Sequence, residues 1–197
     1  MNEEMAALHE CQTWDIVPRP ANRNVVGSKW VYKIKRKPDG SIERYKARLV
    51  ARGFTQQYGQ DYEETFSPVV KVGTIRVILA LALQHGWSLS QLDVKNAFLH
   101  GDLKEEVYME QPPGYSENDA STWVCKLRRS LYGLKQASRS WVESFSMEIQ
   151  QHGFSKSVLD HSLFMFKNAD VTTWVLIYVD DIIITGKDDN HIALVKS

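Results

Sequence analysis

The stretch from Val175 to Thr185 limits the fold more than any other part of the chain. Val175, Leu176 and Ile177 lead into Tyr178, Val179 and the adjacent aspartates Asp180 and Asp181, and Ile182, Ile183 and Ile184 follow. Two apolar runs around a short polar centre read as a β-hairpin, Thr173 to Val179 with Ile182 to Thr185. Strands without polar alternation have no face suited to water, so helices must cover this sheet on at least one side. The turn is placed on Asp180-Asp181. Tight turns prefer Asn-Gly or Asp-Gly because their central residues take positive φ, so an Asp-Asp centre carries strain. Adjacent carboxylates also repel one another unless a cation neutralises them, and an oxygen-seeking divalent ion such as Mg²⁺ would do so. The plainer reading is a solvated turn.

The rest of the chain supplies the covering helices and further strands. Asn2, Glu3 and Glu4 open a helix running to about Glu10, with acids in its first turn. Trp30 to Arg36 and Ile42 to Arg52 alternate about the turn Lys37-Pro38-Asp39-Gly40, a second hairpin. Thr74 is read as the cap of a helix through Leu83, with Gly86 as its stop. Trp87 to Val94, Val107 to Met109, Trp123 to Leu127 and Leu163 to Phe166 read as strands. A helix from about Ala137 to Gln151 carries Trp141, Phe145 and Ile149 on one stripe and ends at Gly153. Strands and helices mixed in this way predict an α+β fold, and 197 residues suit one domain or slightly more.

Formal net charge is zero, with 24 basic and 24 acidic residues, which excludes a uniformly basic nucleic-acid coat. The charges are nevertheless segregated. Residues 29–52 hold nine bases against two acids, and residues 126–139 hold five bases and no acid. On the second hairpin Arg44, Lys46, Arg48 and Arg52 alternate with Tyr45, Ala47, Leu49 and Ala51, so one face is basic and suits a triphosphate or a nucleic-acid backbone. The plainer reading is a solvated face. An aromatic content of 11% argues against disorder, and no apolar run approaches the roughly 20 residues of a membrane span. Cys11 and Cys125 alone form neither a disulfide framework nor a zinc site, which points to a reducing, intracellular compartment.

Asp93 is the natural companion of Asp180 and Asp181. It ends the apolar run Gln91-Leu92-Asp93-Val94. If that strand neighbours the aspartate hairpin, three carboxylates meet at one end of a sheet, a two-metal arrangement suited to phosphoryl transfer. Otherwise Asp93 simply caps the turn that follows. Lys135 precedes the Ala137 helix, close to amides that favour anions. His85, His100, His152 and His161 lack zinc spacing, and no phosphate loop, nucleophile elbow or dinucleotide fingerprint is present.

An ordered series of segments makes the chain recognisable. They are Lys29 to Arg36 (KWVYKIKR), Arg44 to Gln56 (RYKARLVARGFTQ), Glu64 to Val69 (ETFSPV) and Gln91 to Gly101 (QLDVKNAFLHG). Val107 to Gly114 (VYMEQPPG), Ser130 to Ala137 (SLYGLKQA) and Tyr178 to Asp181 (YVDD) complete the series. Together they resemble the reverse transcriptase region of copia-type LTR retrotransposon Pol polyproteins, over nearly the whole chain. The resemblance implies an RNA-directed DNA polymerase with fingers (about 25–72 and 104–135) and a palm (about 73–103 and 136–197) built on a ferredoxin-like antiparallel sheet. It implies Asp93, Asp180 and Asp181 as catalytic metal ligands for Mg²⁺ or Mn²⁺. It implies Lys46, Arg48, Phe98 and Lys135 at the dNTP, with Phe98 as a gate against the ribose 2′-hydroxyl. Arg44, Arg52, Gly133, Gln136 and Tyr178 would touch nucleic acid.

The implied partners are an RNA template, a DNA primer, dNTPs and the remaining Pol regions, integrase and RNase H. No membrane is implied. The implied location is intracellular, in cytoplasmic particles or the nucleus. Ser138 and Val142 stand where the family usually has proline and an aromatic residue. Only 16 residues follow Asp181, which predicts a fragment truncated before the thumb and RNase H. The alternative is a catalytically inactive transposon remnant that at most binds nucleic acid.

Overall fold

A computed structural model describes residues 1–116 and 119–196. The fold is α+β. In chain order the elements begin with α1 (Asn2–Glu10), β1 (Trp14–Pro18), β2 (Val25–Val26), β3 (Ser28–Arg36) and β4 (Ile42–Ala51). Then come α2 (Val72–His85), β5 (Ser88–Asp93), β6 (Asp102–Met109), β7 (Trp123–Arg129) and α3 (Ala137–Gln151). The last are β8 (Ser155–Lys156), β9 (Leu163–Lys167), β10 (Thr172–Tyr178), β11 (Asp181–Gly186) and α4 (Asp189–Lys196). The chain divides into two compact units, Met1–Phe66 with Phe98–Trp141, and Ser67–Ala97 with Val142–Ser197. No described helix is long and apolar enough to cross a membrane.

The first unit holds a four-stranded sheet in the order β1-β7-β6-β2 and the separate β3–β4 hairpin. Its core gathers Met5 and Leu8 of α1, Leu49 and Ala51 of β4, Val107 and Met109 of β6, and Cys125 and Leu127 of β7. The hairpin turn forms as its residues dictate. Gly40 sits at φ 85°, its N–H donates to the Lys37 carbonyl at 2.9 Å, and Asp39 accepts from the Ser41 hydroxyl at 2.6 Å. Only the root of the hairpin packs. Leu49 and Ala51 are buried, whereas Tyr32 and Tyr45 are 65% and 73% exposed near the tip. A two-stranded ribbon of this length extends beyond the core that anchors it.

The second unit holds an antiparallel sheet in the order β5-β11-β10-β9-β8. Helices cover both faces, which explains why its central strands lack polar alternation. Ile75 and Ile78 of α2 pack with Leu163, Trp174, Leu176 and Ile183 on one face. The other face carries Leu92, Val175, Ile182 and Ile184. Between these residues and Ile149 of α3 and Leu194 of α4 lies a cavity of about 350 Å³.

Helix α2 ends as expected at Gly86, in the left-handed region at φ 64°, where the Trp87 N–H returns to the Ala82 carbonyl at 2.9 Å. Its start differs from expectation. Lys71 occupies the cap position, and Thr74 lies inside the first turn. The Thr74 hydroxyl and the Lys71 N–H both donate to Asp160 Oδ2, at 2.6 and 3.0 Å. A carboxylate from a distant loop thus supplies the helix's N-terminal anion. Burial would raise the Asp160 pKa, but Thr74, the Lys71 and Ser162 amides and the Lys71 charge outweigh it and hold it below its ordinary 3.8.

Candidate active site

The aspartate hairpin closes one residue earlier than the sequence suggested. Tyr178 pairs with Asp181, so Val179 and Asp180 are the two central residues and Asp181 is the first residue of β11. The inward set fixes this register, because a slip by one would turn Val175, Ile182 and Ile184 away from α3 and α4. The strain expected of the turn falls on Val179, a β-branched residue at φ 56°.

β5 is the other neighbour of β11, and their register sets Asp93 directly opposite Asp181. The ladder extends one rung further, since the Val94 N–H donates to the Asp180 carbonyl at 2.8 Å. Asp93 ends its strand, Asp181 begins its own, and Asp180 lies in the adjoining turn, so the backbone brings all three to one end of the sheet. Asp93 is exposed, and Asp180 and Asp181 are half-buried. The Gln91 amide donates to Asp181 Oδ1 at 3.0 Å. Directly opposed like charges destabilise a strand pair unless something neutralises them. The donors are all hard carboxylate oxygens, which fit Mg²⁺ or Mn²⁺. Among the described residues no three Asp, Glu, His or Cys side chains are gathered closely enough to hold an ion as they stand. The donor chemistry fits; the carboxylates are not drawn together in advance. Tyr178, across from Asp181, is 51% exposed.

The other candidate residues lie in the first unit. On the basic face of the β3–β4 hairpin, Lys33 stands opposite Lys46 and Lys35 opposite Arg44, while Arg48 faces Val31. Burial, together with Arg48, Arg44 and Lys35, pushes the Lys46 ammonium below the usual lysine range. Two opposed cation pairs on one ribbon create a standing repulsion that an anion would relieve. Arg52 lies past the end of β4, with its N–H donating to the Gly27 carbonyl at 2.8 Å. Phe98 is half-buried in the short helical turn Ala97–His100.

The loop before α3 differs most from expectation. Gln136 is fully buried. Its Oε1 accepts from the Gln56 amide at 3.0 Å, and its Nε2 donates to the Asp61 carbonyl at 2.8 Å. Expected to touch nucleic acid, it instead fastens the loop to the segment around Gln56. Both ends of its amide are engaged inside the unit. Lys135 remains exposed, but its ammonium donates to the Tyr62 hydroxyl at 3.0 Å and lies 4.4 Å from the Tyr62 ring centre. Gly133 takes φ 92°, and a Cβ there would run into the Ala51 carbonyl. Gln56 and Tyr132 lie in the segments that carry the resemblance, but no periodic pattern marks the contacts that they and Asp61 make.

Comparison with known proteins adds relatives to this geometry. Residues 11–197 match a family model described as reverse transcriptase (RNA-dependent DNA polymerase). The chain is 48% identical to the retrovirus-related Pol polyprotein from transposon RE1 of Arabidopsis thaliana, over 95% of this chain and 13% of that protein. It is 46% identical to the corresponding polyprotein from transposon TNT 1-94 of Nicotiana tabacum, over 100% of this chain and 15% of that protein. It is 33% identical to the transposon Ty1-ER2 Gag-Pol polyprotein of Saccharomyces cerevisiae, over 96% of this chain and 10% of that protein. The chain therefore spans a small part of the length of each of these relatives.

Proposed function

This chain belongs to the reverse transcriptase (RNA-dependent DNA polymerase) family, with relatives among copia-type retrotransposon Pol polyproteins, and from that premise we propose that it carries the nucleotidyl-transfer machinery of an RNA-directed DNA polymerase. The observation that carries the proposal is the register pairing of Asp93 with Asp181 beside Asp180, in a chain of this family. In this reading the first unit supplies fingers and the second a palm. Asp93, Asp180 and Asp181 would hold Mg²⁺, or Mn²⁺ in its place. When bound, such ions lower the pKa of a hydroxyl and neutralise charge on the phosphates.

The chain's own groups then bind, orient and exclude. Lys46 and Arg48 would hold the triphosphate from the hairpin face. Lys135 would reach it only by leaving the Tyr62 hydroxyl. The Phe98 ring would leave no room for a 2′-hydroxyl, which favours dNTPs. Arg44, Arg52, Gly133 and Tyr178 would contact template or primer, and Gln136 would act through the shape of its loop. The primer 3′-oxygen bonds to the α-phosphorus, the bond to the bridging oxygen breaks, pyrophosphate leaves, and the hydroxyl proton is released to solvent. Positioning and charge neutralisation carry most of this chemistry.

The test is primer extension on an RNA template with dNTPs and Mg²⁺, beside Asp180→Asn. Incorporation should occur in the parent chain and fall to background in the variant. Equal incorporation by both would remove the assignment. A second reading, nucleic-acid binding without synthesis, is favoured by the opposed cation pairs of the hairpin. RNA retained by a folded chain that extends no primer would select it.

A further inference from the structure

Tyr132 lies in the loop between β7 and α3, outside every role assigned above. Its backbone is fixed, because its carbonyl accepts the Ala51 N–H at 2.8 Å and the next residue, Gly133, has no room for a side chain. Its ring meets two of the side chains that the proposed function directs at the incoming nucleotide. The Phe98 ring packs edge-on against it, with centres 4.7 Å apart and planes at 66°. The Arg48 guanidinium lies over it, 4.3 Å from the ring centre. The Arg48 Nε is buried with no hydrogen-bond partner. The Tyr132 face holds this cation beside the buried carboxylate of Glu4, on which its charge acts.

Resting on the polymerase reading, we infer that Tyr132 is a positioning residue: one ring sets the angle of the Phe98 gate and the reach of Arg48, and so governs the choice of dNTP over rNTP. A ring held edge-on by another ring resists swinging aside to admit a 2′-hydroxyl. Losing the stack frees Phe98 to rotate and lets Arg48 leave the position from which it would meet a phosphate. Both contacts are measured to the ring, which Tyr132→Phe keeps.

The test compares dTTP with UTP incorporation opposite adenine in an RNA template, for the full chain and for Tyr132→Leu, Tyr132→Met and Tyr132→Phe. Both ringless variants should lose about tenfold in discrimination and raise the KM for dTTP several-fold, with kcat at saturation much less changed. Tyr132→Phe should restore both values. A merely structural role would lower kcat without moving the ratio. Discrimination unchanged in a folded ringless variant, or lost equally in Tyr132→Phe, overturns the inference. A second readout needs no turnover: NMR of labelled Phe98 and of the Arg48 Nε. Ringless variants should show faster Phe98 ring flips and an averaged Arg48 signal, and unchanged spectra overturn the clamp. A parent chain that extends no primer while these spectral changes appear removes the polymerase reading, and with it the selectivity role, but leaves the clamp in place.

Discussion

At the scale of single residues, two positions in or beside the candidate set, Val179 and Gly133, have little conformational freedom. Val179 holds a backbone conformation that a β-branched side chain rarely takes, at a typical cost of about 1–3 kcal/mol. It persists because the pairing of β10 with β11 and of β11 with β5 fixes the turn from both sides. Gly133 is constrained in two ways at once, by a φ of 92° and by the Ala51 carbonyl where a Cβ would stand. Gly133→Ala should therefore cost at least about 2 kcal/mol. Urea titration followed by tryptophan fluorescence measures it. A midpoint unchanged from the parent would mean that the loop can move off β4, and the fixed backbone of Tyr132 would no longer hold.

At the scale of elements, two devices set opposite expectations for stability. Asp160 ties its loop to the first turn of α2 and to its own turn, where Ser162 donates to Oδ1 at 3.0 Å. Its pKa is depressed in the folded chain, so its contribution is fully present above the ordinary value of 3.8 and is lost as pH falls through the lower folded value. Asp160→Asn keeps the shape and removes the titration. At neutral pH it should lower stability by about 1–2 kcal/mol, and the gap from the parent should narrow below about pH 4. Urea midpoints at pH 7 and pH 3 check this, and a constant gap would show that the charge is not what matters. The β3–β4 hairpin runs the other way. Lys33 opposite Lys46 is an unfavourable pair. Lys33→Glu should stabilise the chain by a few tenths of a kcal/mol and weaken the RNA binding proposed for the hairpin. Thermal melts and fluorescence anisotropy on the same sample would show the two effects moving in opposite directions. A variant that both melts lower and binds as before would refute the account.

At the scale of the whole molecule, what was legible in the sequence depended on the distance over which each feature is determined. Helix bounds such as Ala137 to Gln151 follow from short-range periodicity, whereas the meeting of Asp93 with Asp180-Asp181 needed the pairing of β5 with β11, which the sequence left open. The Thr74–Asp160 contact joins residues 86 apart, and the Gln56–Gln136 pair joins residues 80 apart. Buried polar partners of that kind have no local signature, which is why Thr74 read as a cap and why the Gln56–Gln136 pair was not foreseen. Charge segregation was legible, and its consequence is large. Net charge is zero, yet both basic segments fall in the first unit and the three aspartates in the second. A neutral molecule with uniform charge would bind RNA weakly and with little response to salt. Under the proposed function a segregated one would bind through the few phosphates that its hairpin would meet, each such contact releasing a counterion. For single strands the slope of log K against log salt is about −0.7 per phosphate neutralised. Replacing Arg44, Lys46 and Arg48 together by alanine should therefore flatten the slope by about 2 as well as weaken binding. Anisotropy of a labelled single-stranded RNA between about 50 and 200 mM KCl measures both quantities. Weaker binding with an unchanged slope would mean that the three side chains shape the hairpin without touching phosphate. A flattened slope would assign the contacts to them and make the zero net charge irrelevant to how the chain meets nucleic acid.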